Sequence, residues 1–124
     1  MKTLGWVTAA LGGAALSMAA AALPPPAPAV PAAWGRCAAC HANARGEAAE
    51  LGPNLWGVAG AKSGARPGYD YSPALKRAGI VWNKATLTRW LTDTQATVPG
   101  TTMPDQHLSP AERDALAAYL LTLK

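Results

Sequence analysis

Cys37-Ala38-Ala39-Cys40-His41 gathers both cysteines of the chain into five residues and follows them directly with a histidine. This is the attachment spacing of a c-type haem. Each thiol can add across a haem vinyl group to give a thioether, and His41 is then placed to bind the iron from one face. Two other chemistries use paired cysteines. A tetrahedral zinc site needs about four ligands, and beyond this stretch the chain offers only His107 and carboxylates. A thioredoxin-like dithiol needs its pair at the start of a helix in a βαβ unit, whereas no alternating strand pattern appears here. Covalent haem is the reading these residues favour.

With 124 residues the chain has room for one small domain, and half of its residues are hydrophobic although none is Phe. Such a domain buries a limited core, so a large apolar cofactor tethered inside it would supply much of the interior.

The N-terminus reads as a targeting segment. No residue from Thr3 to Gly35 is charged, and Leu4 to Leu23 is rich in Ala, Leu, Val and Gly, as the apolar part of an export signal should be. Ala20 and Ala22 form an A-x-A site, so residues 1–22 are expected to be a signal peptide, 23–33 a Pro/Ala-rich linker and 34–124 the folded domain. The alternative is an uncleaved anchor, because about 20 apolar residues cross a bilayer. Pro24-Pro25-Pro26-Ala27-Pro28 would then be a stiff spacer. Gly5, Gly12, Gly13 and the many alanines make the segment weakly hydrophobic, which favours cleavage. Either way the domain is expected outside the cytoplasm, in the periplasm or tethered to the outer face of the inner membrane. Its thiols would be consumed by haem and not by a structural disulfide.

From Trp34 onward the pattern is helical. Ser109-Pro110-Ala111-Glu112 is a capping box with Pro at the first helical position, and Leu116, Tyr119, Leu120 and Leu123 follow as one apolar stripe. Asn83 caps a second helix carrying Leu87, Trp90 and Leu91, which should run on to end before Val98-Pro99-Gly100. A short third helix runs from Ser72 and Pro73 through Leu75 to a stop at Gly79. Residues 42 to 71 are glycine-rich without sustained periodicity. A loop that long in a compact domain needs a cofactor to organise it.

A second axial ligand is sought next. Met1 and Met18 lie in the exported segment, which leaves Met103 in the turn-rich stretch Val98-Pro99-Gly100-Thr101-Thr102-Met103-Pro104, where a core-packing role would be unusual. His107 is the rival, although a lone histidine before a helix is more often solvated.

Five separated motifs now stand in one order: Cys37-Ala38-Ala39-Cys40-His41, Gly52-Pro53-Asn54-Leu55-Trp56-Gly57, Gly68-Tyr69-Asp70-Tyr71, Gly79-Ile80-Val81-Trp82 and Pro99-Gly100-Thr101-Thr102-Met103. Over about Cys37 to Leu123 the sequence resembles a class I c-type cytochrome of the mitochondrial and bacterial soluble type. The resemblance implies an all-α class I cytochrome c fold, about three to four short helices wrapped round one covalent haem c. It implies His41 and Met103 as iron ligands, Cys37 and Cys40 as thioether anchors, and Pro53 as the carbonyl that accepts from the far nitrogen of His41. Tyr71 and Trp82 would each donate to a haem propionate, with Thr101 nearby. Trp90 would stand close to the methionine ligand, and Leu55 and Leu91 would line the pocket.

Departures from the family are part of the same reading. The family places a helix before the first cysteine, but Pro24, Pro25, Pro26, Pro28 and Pro31 forbid a long one here. A shortened helix could begin with Pro31 at its first position, leaving Ala33 where an aromatic is expected and Trp34 one residue later. Ala61 stands where many relatives carry an arginine near a propionate, with Arg66 as a candidate substitute, and Leu75 replaces a common polar residue.

The implied function is one-electron transfer without enzymatic turnover, since histidine and methionine together leave the iron no vacant site. Redox partner proteins are expected: a cytochrome bc-type complex, a terminal oxidase, a reaction centre or a dehydrogenase. No nucleic acid is expected, a membrane only if the N-terminal segment stays uncleaved, and the chain should be a monomer. Two other readings remain: a haem subunit of a periplasmic dehydrogenase, and a peroxidase-like enzyme with Met103 off the iron. The formal charge of +4 falls by one if Lys2 is removed. Gln95, Ala96 and Thr102 stand where mitochondrial relatives carry docking lysines, so steering of acidic partners should be weak.

Overall fold

The computed structural model describes residues 29–124 together with Gly5, Gly12, Gly13, Ser17 and residues 19–26. The signal-peptide expectation for residues 1–22 and its anchor alternative fall largely outside the described residues. Among those described, no helix is long and apolar enough to cross a membrane.

Five helices follow one another: α1 (Trp34–Ala38), α2 (Pro73–Ala78), α3 (Lys84–Thr92), α4 (Thr94–Thr97) and α5 (Pro110–Leu120). Among the described residues the only β-pairing noted is an isolated bridge between Lys62 and Val81. The capping box opens α5 as expected: Glu112 N donates to Ser109 Oγ at 3.3 Å and Ser109 N to Glu112 Oε2 at 2.8 Å. Asn83 and Thr86 exchange the equivalent pair at the start of α3. The two helices pack on each other, and their stripes meet in a core of Leu87, Trp90, Leu91, Leu116, Ala117 and Leu120. Leu116 is fully enclosed. Burying each such leucine stabilises the fold by about 1.5–3 kcal/mol.

The single helix expected from Asn83 to Val98 is in fact two. Asp93 turns the backbone to φ −159°, ψ 108°, and its carboxylate accepts from Ala96 N at 2.8 Å, so the residue that ends α3 also caps α4. A side chain able to cap the next turn here outcompetes continuation of the helix. The α2 prediction holds: Ser72 Oγ accepts from Leu75 N, and Gly79 closes the helix in the left-handed region.

The approach to Cys37 differs from a helix begun at Pro31. Trp34, Arg36 and Gly35 bond back to Pro31, Ala33 and Ala32, a tight turn with i→i+3 bonds that feeds a five-residue α1. The shortened helix still reaches α5. Trp34 packs edge-on against Tyr119, with ring centroids 5.5 Å apart and planes 63° apart, although it stands one residue after the expected position.

Residues 42–71 have no helix, yet they are closely tied. Leu55 N donates to Ala42 O, Gly60 N to Trp82 O, and Trp82 N to Ala61 O. Asn54 Nδ2 donates to both Ala44 O and Glu47 O. At Gly64 the loop crosses α2 so closely that a Cβ would lie 2.7 Å from Lys76 Cα, and φ of +63° independently requires glycine.

Candidate haem site

The end of α1 delivers Cys37, Cys40 and His41 to one wall of the interior. His41 Nδ1 lies 2.7 Å from Pro53 O. A carbonyl only accepts, so Nδ1 carries the hydrogen and Nε2 is left with the lone pair. Burial holds the imidazole below its ordinary pKa, against a smaller opposing effect of the Pro53 carbonyl, which keeps the ring neutral near pH 7. Gly52 makes room for it: a Cβ there would sit 2.5 Å from Cε1 and 2.9 Å from Nε2 of His41. Gly52 N is itself bonded to Cys40 O at 2.8 Å. Both cysteines are free, and burial pushes the Cys37 thiol up to about 11, more than the neighbouring Arg36 charge lowers it.

These groups open onto a mainly apolar cavity enclosing about 1200 Å³, its mouth included. Every residue expected at the site lines it: Cys37, Cys40, His41, Pro53, Tyr71, Trp82, Trp90, Thr101 and Met103. Leu55, Leu75, Leu87 and Leu91 complete much of the apolar wall. Trp82 and Trp90 pack at 5.5 Å between ring centroids. Burial raises the Tyr71 pKa, so its hydroxyl keeps its proton as a donor. Among the described residues no hydrogen bond is made to the Tyr71 hydroxyl or to the indole N–H of Trp82 or Trp90, which leaves three donor groups on side chains that line the cavity.

Met103 reaches the cavity from the segment after α4. Thr94 Oγ1 donates to Met103 O at 3.0 Å, and Gln95 Nε2 donates to Thr101 O at 2.8 Å. His107, the rival ligand, does not line the cavity; it is exposed beside Asp105, with Nδ1 3.5 Å from Oδ2. Arg66 does line it, but its guanidinium is engaged by the carbonyls of Asn54 and Trp56. It braces the loop where Ala61 offers nothing polar. Sequence reasoning gave no role to Gly52 or Thr94 and placed Gln95 only at the docking rim. The Asp93-Thr94-Gln95-Ala96 run was the signal for the last two, because Asp is a strong N-cap.

The family model described as cytochrome c matches residues 29–124. The chain belongs to the cytochrome c family. It is 45% identical over 86 residues to cytochrome c2 of Rhodoplanes tepidamans, covering 68% of this chain and 80% of that protein. It is 42% identical to cytochrome c of Sesamum indicum, covering 68% of this chain and 78% of that one. Among solved structures it resembles cytochrome cH from Methylobacterium extorquens, with a TM-score of 0.66 and 43% identity over 73% of this chain and 91% of that chain. The fold is accordingly that of a class I c-type cytochrome, an electron carrier built on one covalent haem c. The donor set fits that group: two free thiols in attachment spacing, a neutral imidazole with its lone pair at Nε2, a thioether sulfur, and three side chains with N–H or O–H groups among those lining an apolar cavity.

Proposed function

We infer that this cytochrome c passes single electrons between redox proteins outside the cytoplasm, and that His41 and Met103 would hold the haem iron while Cys37 and Cys40 would hold the haem through thioether bonds. The observation that carries the assignment is the convergence of both ligand types on one cavity, with the His41 ring already fixed by Pro53 O and Gly52. Bound haem c supplies the redox couple, one electron accepted and returned. The protein's residues do the rest. The Pro53 carbonyl orients His41 and makes its Nε2 a better donor. Leu55, Leu75, Leu87 and Leu91 keep water out, which limits the solvent rearrangement that must accompany each electron. Tyr71, Trp82 and Thr101 would supply hydrogen bonds for the haem propionates. With His41 and Met103 both holding the iron, the haem would have no site open to oxygen or peroxide, and electron transfer without turnover would be the outcome.

Residues 1–22 are assigned to export as a cleaved signal peptide, and residues 23–33 to a linker. Partners are redox complexes of respiration or photosynthesis. The name cytochrome c2 borne by several relatives supports a carrier over a dehydrogenase subunit.

One preparation from the native host tests these assignments. A pyridine haemochrome spectrum should show a c-type haem, and the intact mass should equal residues 23–124 plus one haem. Met103→His should lower the reduction potential, because methionine favours the ferrous state relative to histidine. An unchanged potential and spectrum in that variant would remove Met103 from the iron.

A further inference from the structure

α4 is four residues long and contributes little to the core, yet three of its side-chain atoms hold the segment that carries Met103. Thr94, almost wholly enclosed at 1% exposure, donates its hydroxyl to the carbonyl of Met103 itself. Gln95 uses both ends of its amide: Nε2 donates to Thr101 O at 2.8 Å, and Oε1 accepts from Gly100 N at 3.2 Å. Asp93 fixes the helix at its start by accepting from Ala96 N. Thr97 faces the other way, bonding Arg89 O and Asp93 O at the end of α3. The backbone of 100–103 supplies few contacts of its own here. Thr101 N bonds to Val98 O, and Gly100 φ of +89° turns the chain into the cavity.

We propose that α4 is a clasp on the methionine ligand, in which Thr94 and Gln95 are positioning residues that set how often Met103 leaves the iron. The proposal rests on the assignment of Met103 as axial ligand. The physical case is one of satisfaction. Thr94 is enclosed, so replacing its hydroxyl by a methyl leaves the part-buried Met103 carbonyl facing an apolar group in place of its donor, and an acceptor that has lost its partner favours a conformation that exposes it to water. In this chain that conformation is the one with Met103 swung out. Gln95 is exposed, so water can replace either of its bonds, and its share of the clasp is smaller.

An external ligand reads the open population directly, because its apparent affinity scales with the fraction of protein whose site is competent. The test is titration of the ferric holoprotein with imidazole, followed by loss of the sulfur-to-iron charge-transfer absorption, on five proteins: wild type, Thr94→Val, Gln95→Ala, Thr97→Val and Met103→Ala. Thr94→Val should bind imidazole about tenfold more tightly than wild type, and Gln95→Ala about threefold. Thr97→Val, on the same helix but turned away from the loop, should match wild type within about 1.5-fold even where it lowers the thermal midpoint. Met103→Ala should lack the absorption from the outset and bind tightest.

If Thr94→Val and Gln95→Ala bind imidazole as wild type does while Met103→Ala shows the full change, the clasp is wrong and the ligand assignment stands. If affinity across the α4 variants simply follows their thermal midpoints, Thr97→Val included, α4 is structural and the clasp is again wrong. A Met103→Ala protein indistinguishable from wild type overturns the ligand assignment and the clasp together.

Discussion

The histidine side and the methionine side of the cavity are built by different means. His41 sits in residues 40–55, where Gly52 N holds Cys40 O, Leu55 N holds Ala42 O and the Pro53 carbonyl holds the imidazole, so backbone groups fix the ring. Met103 sits in a segment fastened mainly by side chains, Thr94 and Gln95 of α4. Backbone bonds survive most substitutions, while side-chain bonds vanish with a single one. The histidine side should therefore tolerate little change in shape, and the methionine side should be where ligand exchange is tuned.

The largest effect that would separate the two is steric. Gly52→Ala places a methyl 2.5 Å from His41 Cε1, and the ring cannot swing away without giving up its 2.7 Å bond to Pro53 O. Overpacking of this kind costs about 3 kcal/mol. The thermal midpoint of the holoprotein should fall steeply. Thr102→Ala, at an exposed position on the methionine side, should cost less than about 0.5 kcal/mol. Equal losses in the two variants would break the comparison.

The same contrast explains what could be read in the sequence. Cys37, Cys40, His41 and Pro53 act through fixed spacing and residue type, so the histidine side was legible, and Met103 was found because it is the one methionine left in the domain. α2, α3 and α5 were legible because their caps and apolar stripes agree. The split at Asp93 was not, because the apolar residues Leu91 and Val98 straddle it and periodicity alone joins them into one helix. Nor could the sequence reveal that Trp34 reaches Tyr119 from a five-residue helix. That contact depends on the direction in which Pro31 releases the chain. The occupation of Arg66 by two backbone carbonyls is likewise a property of the folded loop, invisible before Asn54 and Trp56 are brought beside it.

A smaller effect would sharpen the comparison where the two sides meet. Arg36, beside the first cysteine, donates to Gln106 O on the methionine side and pairs with Glu112 of α5 at 3.6 Å. Glu112 has its carboxyl held below the ordinary value of 4.5, first by the Ser109 backbone N–H and the Ser109 side chain, with Arg36 a lesser contributor. A carboxylate whose folded pKa is depressed stabilises the fold above its ordinary pKa. That contribution is lost as pH falls from 4.5 through the lower folded value. Glu112→Gln should therefore melt below wild type at pH 7, and the gap should close on acidification below 4.5. Because the group is exposed, the gap should be modest and should shrink in salt. A gap that persists at low pH would assign the effect to packing and leave the two sides unlinked by charge.

The smallest effect concerns the outer surface of the methionine side. Gln95 and Ala96 are exposed on α4 and Thr102 is exposed just before Met103, so three uncharged side chains occupy the rim at which a partner would approach that segment. Arg36, the cation beside the first cysteine, is already committed to Gln106 O and Glu112. Long-range attraction scales with the number of free charges facing the partner, and exposed charges are screened within about 10 Å at 0.1 M salt. With few such charges here, the second-order rate of electron transfer to an acidic redox protein should fall less than about threefold between low and physiological salt. Ala96→Lys with Thr102→Lys should restore a steep salt dependence by raising the low-salt rate, while the rate at high salt stays where it was. A steep dependence in the unmodified protein would place docking on another, charged face, and the methionine rim would then be a device for holding a ligand and not for meeting a partner.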